Sequence, residues 1–138
     1  MLYAARECGR IAAQEGMAGM FARHARASRA VVAGVQAMNL RLYGELRHKM
    51  PNVTGVYVPE GVNGDKLRAA LLKDFSVEIG TSFGPLAGKV WRLGAMGYNA
   101  RPDAVLQMLA ALEVVLAAEG HRFTRGAGVD AAYAQLKS

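Results

Sequence analysis

Gly84-Pro85-Leu86-Ala87-Gly88-Lys89-Val90-Trp91-Arg92-Leu93-Gly94 is the stretch from which the rest of the chain can be read. Two glycines around a proline describe a turn, and the residues after Lys89 are apolar except for one arginine. This composition predicts a strand over residues 89–96. Period two places Val90, Arg92 and Gly94 on one face and Trp91, Leu93 and Ala95 on the other. The bulkier face suits a covering layer of helices. Arg92 then falls on the open face, with Gly94 leaving room beside it. A guanidinium among apolar neighbours is costly unless it meets a partner. Its planar fork matches a carboxylate or phosphate through paired hydrogen bonds. A solvated strand arginine, or one in a structural ion pair, fits the same spacing.

Working outward, residues 2–14 are rich in Ala, Arg and Glu and predict a helix. It starts with no Ser, Thr, Asp or Asn cap, which suggests a domain that begins upstream of Met1. After Gly16 and Gly19 a longer helix is expected over 20–38, with Phe21, Ala25, Ser28, Val32 and Val35 inward and Arg23, Arg26 and Arg29 outward. Asn39 suits its left-handed terminus. Short strands are expected at 40–43, 53–58 and 77–79. Asn63 or Asp65 caps a helix over 65–75, with Leu67, Leu71 and Leu72 inward. Residues 80–88 form a glycine-rich loop. Pro102 and Asp103 open a helix whose buried stripe is Val105, Leu109, Leu112 and Leu116, and Gly120 ends it. Residues 121–138 read as a loop and a short terminal helix. The order predicts an α+β layer of about four short strands with helices grouped on one face. The other face is left for something else to cover.

The totals set bounds. The chain has 138 residues, 52% of them hydrophobic and 20% charged, so it reads as one globular domain. A single cysteine, Cys8, rules out an intramolecular disulfide and fits a reducing, cytoplasmic setting. No apolar run reaches the ~20 residues of a membrane span, and no secretory leader is evident. The net charge of +6 permits anionic metabolites or nucleic acid. Arg6, Arg10, Arg23, Arg26 and Arg29 are spread over two helices with few aromatics between them, which reads as a solvated basic face and argues against nucleic acid. His24, His48 and His121 lack metal-ligand spacing, and no metal site is expected. The 80–85 segment lacks the Lys-Ser/Thr ending of a nucleotide loop. No motif joins a nucleophile, a base and an orienting group.

Val77-Glu78-Ile79-Gly80, the Gly84–Gly94 stretch and Met96-Gly97-Tyr98-Asn99-Ala100 together resemble the C-terminal domain of class V pyridoxal-phosphate-dependent aminotransferases. Leu2-Tyr3-Ala4-Ala5-Arg6-Glu7 and Pro51-Asn52-Val53-Thr54 extend the likeness. It is nearest to the alanine–glyoxylate, serine–pyruvate and ureidoglycine–glyoxylate enzymes. Within that group Glu78 to Pro85 and Met96 to Arg101 look most like the (S)-ureidoglycine–glyoxylate branch of purine catabolism.

The resemblance implies the small domain of fold-type I aminotransferases over residues 1–120. Residues 1–38 would be two helices leading into it, and 121–138 a C-terminal tail. It implies that Arg92 grips the α-carboxylate of an amino-acid or oxo-acid substrate. It also implies pyridoxal 5'-phosphate bound mainly by a large domain outside this chain. None of Lys49, Lys66, Lys73, Lys89 or Lys137 sits in the family's cofactor-lysine context, so no catalytic or cofactor-binding residue is expected here. The chain alone is expected to be inactive, and its full-length form a homodimer. The rival expectations are an alanine- or serine–glyoxylate fragment and a non-catalytic carboxylate-binding module.

Overall fold

The computed structural model describes residues 1–137. Five α-helices pack with a small antiparallel sheet among the described residues. They are α1 (Leu2–Glu15), α2 (Met17–Ala37), α3 (Gly64–Phe75), α4 (Pro102–Ala118) and α5 (Ala127–Lys137). The strands are β1 (Val53–Tyr57), β2 (Gly80–Thr81) and β3 (Val90–Gly94), in the order β1-β3-β2. The register pairs Gly55 with Arg92 on one side of β3 and Gly80 with Arg92 on the other.

The α+β layer is as expected, but the sheet has three strands rather than four. The segment predicted as a strand at 40–43 makes one isolated bridge, Leu42 to Val56. The strand predicted at 77–79 starts later, at Gly80. Residues 76–79 are occupied in ending α3: the amides of Ser76 and Val77 donate back to Leu72 and Leu71, and Arg68 Nε donates to the Ile79 carbonyl at 2.9 Å. Those groups are then not free for a ladder.

Local signals set the helix ends. The Asn63 side chain accepts from the Lys66 amide at 3.0 Å and so caps α3. Asn39, at φ 57°, closes α2 in the left-handed region, and Pro102 stands in the first turn of α4. The apolar stripe Val105, Leu109, Leu112, Leu116 is buried, as expected. It packs with Val31, Val35 and Met38 of the α2 segment and with Trp91 and Leu93 of β3 in one core.

The inward face of α2 differs from expectation. Ala27, Ser28, Ala30, Val31, Gly34 and Val35 are buried, whereas Phe21 is 64% exposed. The cause is α5, which lies against α2 at close range. A Cβ on Gly34 would fall 2.6 Å from Leu109 Cδ1 and 2.9 Å from the Gly128 carbonyl, so only glycine admits this crossing. The small residues of α2 thus face a helix rather than the sheet. The expected tail ends at Ser138, outside the described residues, but α5 itself packs into the core through Ala132.

Glu113 explains why α5 sits where it does. It projects from α4 with only 8% exposure and accepts from the amides of Gly126, Gly128 and Val129 at 2.7, 2.8 and 3.3 Å. A helix start offers unpaired N–H groups and positive potential, and a carboxylate answers both. Glu113→Ala should leave buried amides unpaired and cost about 2–3 kcal/mol in chemical denaturation. Amide exchange should accelerate first in α5.

Candidate functional site

Alternation along β3 sends Trp91 and Leu93 into the core and leaves Arg92 exposed. Val90 shares the Arg92 face by alternation but is buried, and it stands outside the main core cluster. Arg92 is flanked by glycine on both strands. A Cβ at Gly80 would lie 3.4 Å from Arg92 Cβ and Nε, so the bare backbone lets the side chain lie across β2. There Nε donates to the Thr81 carbonyl at 2.8 Å, and the guanidinium carbon lies 4.7 Å from the centre of the Phe83 ring. Among the described residues no acid pairs with Arg92, and its two terminal nitrogens donate to no protein atom.

Gly55, the opposite neighbour, gives room to Tyr43, whose Cβ would be 3.0 Å from a Cβ at that position. Tyr43 meets Tyr57 edge-on at 5.6 Å, and Arg41 Cζ lies 3.8 Å above the Tyr57 ring. The open face therefore carries a second arginine without an acid partner, which sequence reasoning missed. The signal was present: the alternation in Leu40-Arg41-Leu42-Tyr43 puts Arg41 and Tyr43 on one side.

Other sequence candidates are placed elsewhere. Arg10 pairs with Glu7, and Arg23 with Glu15 at 2.5 Å. Both carboxyls are held below the usual carboxylate range by these guanidinium hydrogen bonds, and both arginines are raised in return. His48 lies 3.7 Å from Glu45, His121 is bonded to the Met38 carbonyl, and His24 faces the turn after β3. The described residues hold no group of three or more metal-ligating side chains, and no helix long and apolar enough to cross a membrane. Cys8 is exposed on α1.

Pyridoxal phosphate needs a lysine for its aldehyde and a cradle of donors for its phosphate. The residues gathered at Arg92 provide neither. Lys49 donates to the buried Ser28 hydroxyl at 2.7 Å, and burial lowers its pKa. Lys66 pairs with Glu119 at 2.8 Å, and Lys137 stacks on Tyr133. The cofactor does not fit the residues gathered at Arg92. What remains is a domain that presents a carboxylate-shaped cation on an open sheet face.

Several known proteins similar to this chain are aminotransferases. No protein-family model matches the chain. The (S)-ureidoglycine–glyoxylate transaminase of Bacillus subtilis is 47% identical over 132 residues, 96% of this chain and 32% of that protein. The crystal structure of ureidoglycine-glyoxylate aminotransferase from the same organism superposes with a TM-score of 0.96 at 44% identity, over 99% of this chain and 35% of that one. The serine–glyoxylate aminotransferase of Arabidopsis thaliana is 30% identical over 138 residues, 99% of this chain and 34% of the plant protein. Nearly the whole chain is similar to these aminotransferases, and it spans about a third of the length of the relatives it matches.

The Arg23–Glu15 pair ties α2 to α1 beside the turn that leaves β3. Its acid response has a definite sign. The folded-state pKa of Glu15 lies below its unfolded value near 4.5, so its stabilisation is complete above that value and fades as pH falls further. Glu15→Gln should therefore lower stability at neutral pH. In urea titrations the gap to wild type should narrow as pH falls below 4.5.

Proposed function

We propose that this chain is the substrate-carboxylate portion of a glyoxylate-using aminotransferase, with (S)-ureidoglycine as amino donor, in purine catabolism. The observation that carries this reading is the state of Arg92: exposed, free of any acid, and anchored through Nε alone. With Nε committed to Thr81, the two terminal nitrogens form the free edge of the fork. Two parallel N–H···O bonds from that edge fix both the position and the plane of a carboxylate. Holding the carboxylate in one plane limits rotation about its bond to Cα, so the reacting bond is offered in one orientation. The high identity to the ureidoglycine enzyme supports the choice of donor within the family.

When bound, pyridoxal phosphate supplies the electron sink for amino transfer. It is held by polypeptide outside this chain, and no chemical step belongs to the residues described here. The 138-residue chain alone is therefore inactive. A homodimer in a cytoplasmic compartment completes the reading, supported by the family and by the single thiol.

The test is made in the full-length enzyme. Arg92→Lys keeps the charge and loses the fork, and kcat/KM for the amino donor should fall at least about tenfold with a raised KM. Arg26→Lys, on the exposed side of α2, should leave both unchanged. An Arg92→Lys enzyme with unaltered kcat/KM refutes the role. Turnover by the isolated chain with added cofactor refutes the division of labour. Cofactor-independent glyoxylate binding that vanishes in Arg92→Ala would favour a carboxylate-binding module instead.

A further inference from the structure

The turn after β3, Gly97–Asn99, is held from α2 by two adjacent side chains. Arg23 Nη1 donates to the Gly97 carbonyl at 2.6 Å and to the Ala100 carbonyl at 3.4 Å, while its other edge is bonded to Glu15. His24 makes the second attachment, and its surroundings fix its proton. Nδ1 lies 2.8 Å from the Met20 carbonyl, which can only accept, so Nδ1 carries the hydrogen. Nε2 lies 3.0 Å from the Gly97 amide, which can only donate, so Nε2 carries the lone pair. The neutral Nδ1–H tautomer alone satisfies both. Protonation at Nε2 sets one N–H against another and removes the bond.

We infer that His24 is a positioning residue, a pH-sensitive latch that holds the turn following the Arg92 strand only while its imidazole is neutral. Two residues separate β3 from Gly97. Ala95 is tied through its amide to the Asn52 carbonyl at 2.9 Å, and Met96 has no such tie to a neighbouring strand. Gly97 is thus the next backbone anchor beyond the sheet. Its positive φ of 57° is a conformation that side chains other than glycine's rarely adopt. The consequence for a bound carboxylate rests on the role proposed for Arg92, but the latch does not.

The charged groups around the latch are Glu15 from α1, Arg23 on α2 and Arg101 at the start of α4. These three line one cavity of about 610 Å³ between α1, α2 and the turn. Arg101 stacks on Tyr98 at 3.8 Å and pairs with Asp103 at 3.0 Å. The two arginines oppose a nearby imidazolium, whereas Glu15, although bonded to Arg23, still interacts with the charged imidazole and favours it. Glu15 is held below the usual carboxylate range, so its bond to Arg23 persists into acid.

The experiment is nitrogen-15 NMR of the 138-residue chain with hydrogen exchange at the Gly97 amide. At about pH 7.5 His24 should show the Nδ1–H tautomer, and the Gly97 protection factor should fall roughly tenfold or more once the same spectra show the imidazole doubly protonated on acidification. In His24→Gln the side-chain oxygen takes the place of Nε2 and does not titrate, so protection should persist at both pH values. In His24→Phe it should be absent at both. An Nε2–H tautomer, protection that ignores the protonation of His24, or a His24→Gln protein that follows the wild-type pH profile overturns the latch. None of these readouts involves amino transfer, so the kinetics of Arg92 variants bear on the proposed function separately.

Discussion

Everything at the site depends on the two-residue alternation of β3. Trp91 and Leu93 are buried beneath the helices, so the residue between them has to face the opposite way. A slip of one residue would place a guanidinium in the core and a tryptophan in water. Register is therefore held by the full hydrophobic content of the strand, and the position of Arg92 inherits that stability. The flanking glycines convert position into direction. With no side chain at Gly80, the arginine lies flat across β2 and reaches the Thr81 carbonyl. With no side chain at Gly55, Tyr43 can approach from the other edge.

Much of this was legible in the sequence because it is local. The β3 alternation, the Asn63 cap, the Asn39 terminus and the α4 stripe each depend on a few consecutive residues, and each is found where expected. The strand at 77–79 was misplaced because its apolar pattern competes with the termination of α3, and the termination takes the amides. The strand at 40–43 shrank to one bridge, with alternation too short to sustain a ladder. Period alone could not weigh these tertiary claims on the backbone.

The features that sequence could not show are those made by residues far apart. The buried face of α2 is rotated because α5, some 90 residues later, needs the small side chains at Ala27, Ala30 and Gly34. Glu113 reads as a break in an apolar stripe until Gly126, Gly128 and Val129 are brought to it. His24 reads as one more polar residue on a basic helix until Gly97 arrives 73 positions later. Each is a side chain that completes backbone hydrogen bonding on another element. Such pairings carry no periodic trace, since one polar residue suffices.

The exposure of Arg92 sets how strongly it can hold an anion. A solvated guanidinium is stable without a counter-charge, so the domain folds around it at little cost. In that state it also discriminates poorly. At 4 Å a carboxylate gains about 1 kcal/mol from it in bulk water and about 4 kcal/mol at an effective dielectric near 20. The difference comes from excluding water, and nothing on the open face of this sheet does that beyond Phe83 and the two tyrosines. A surface laid over that face would strengthen the same two hydrogen bonds without altering one atom of this chain. Geometry is therefore the contribution of the β3 strand. Binding strength would depend on whatever covers the strand.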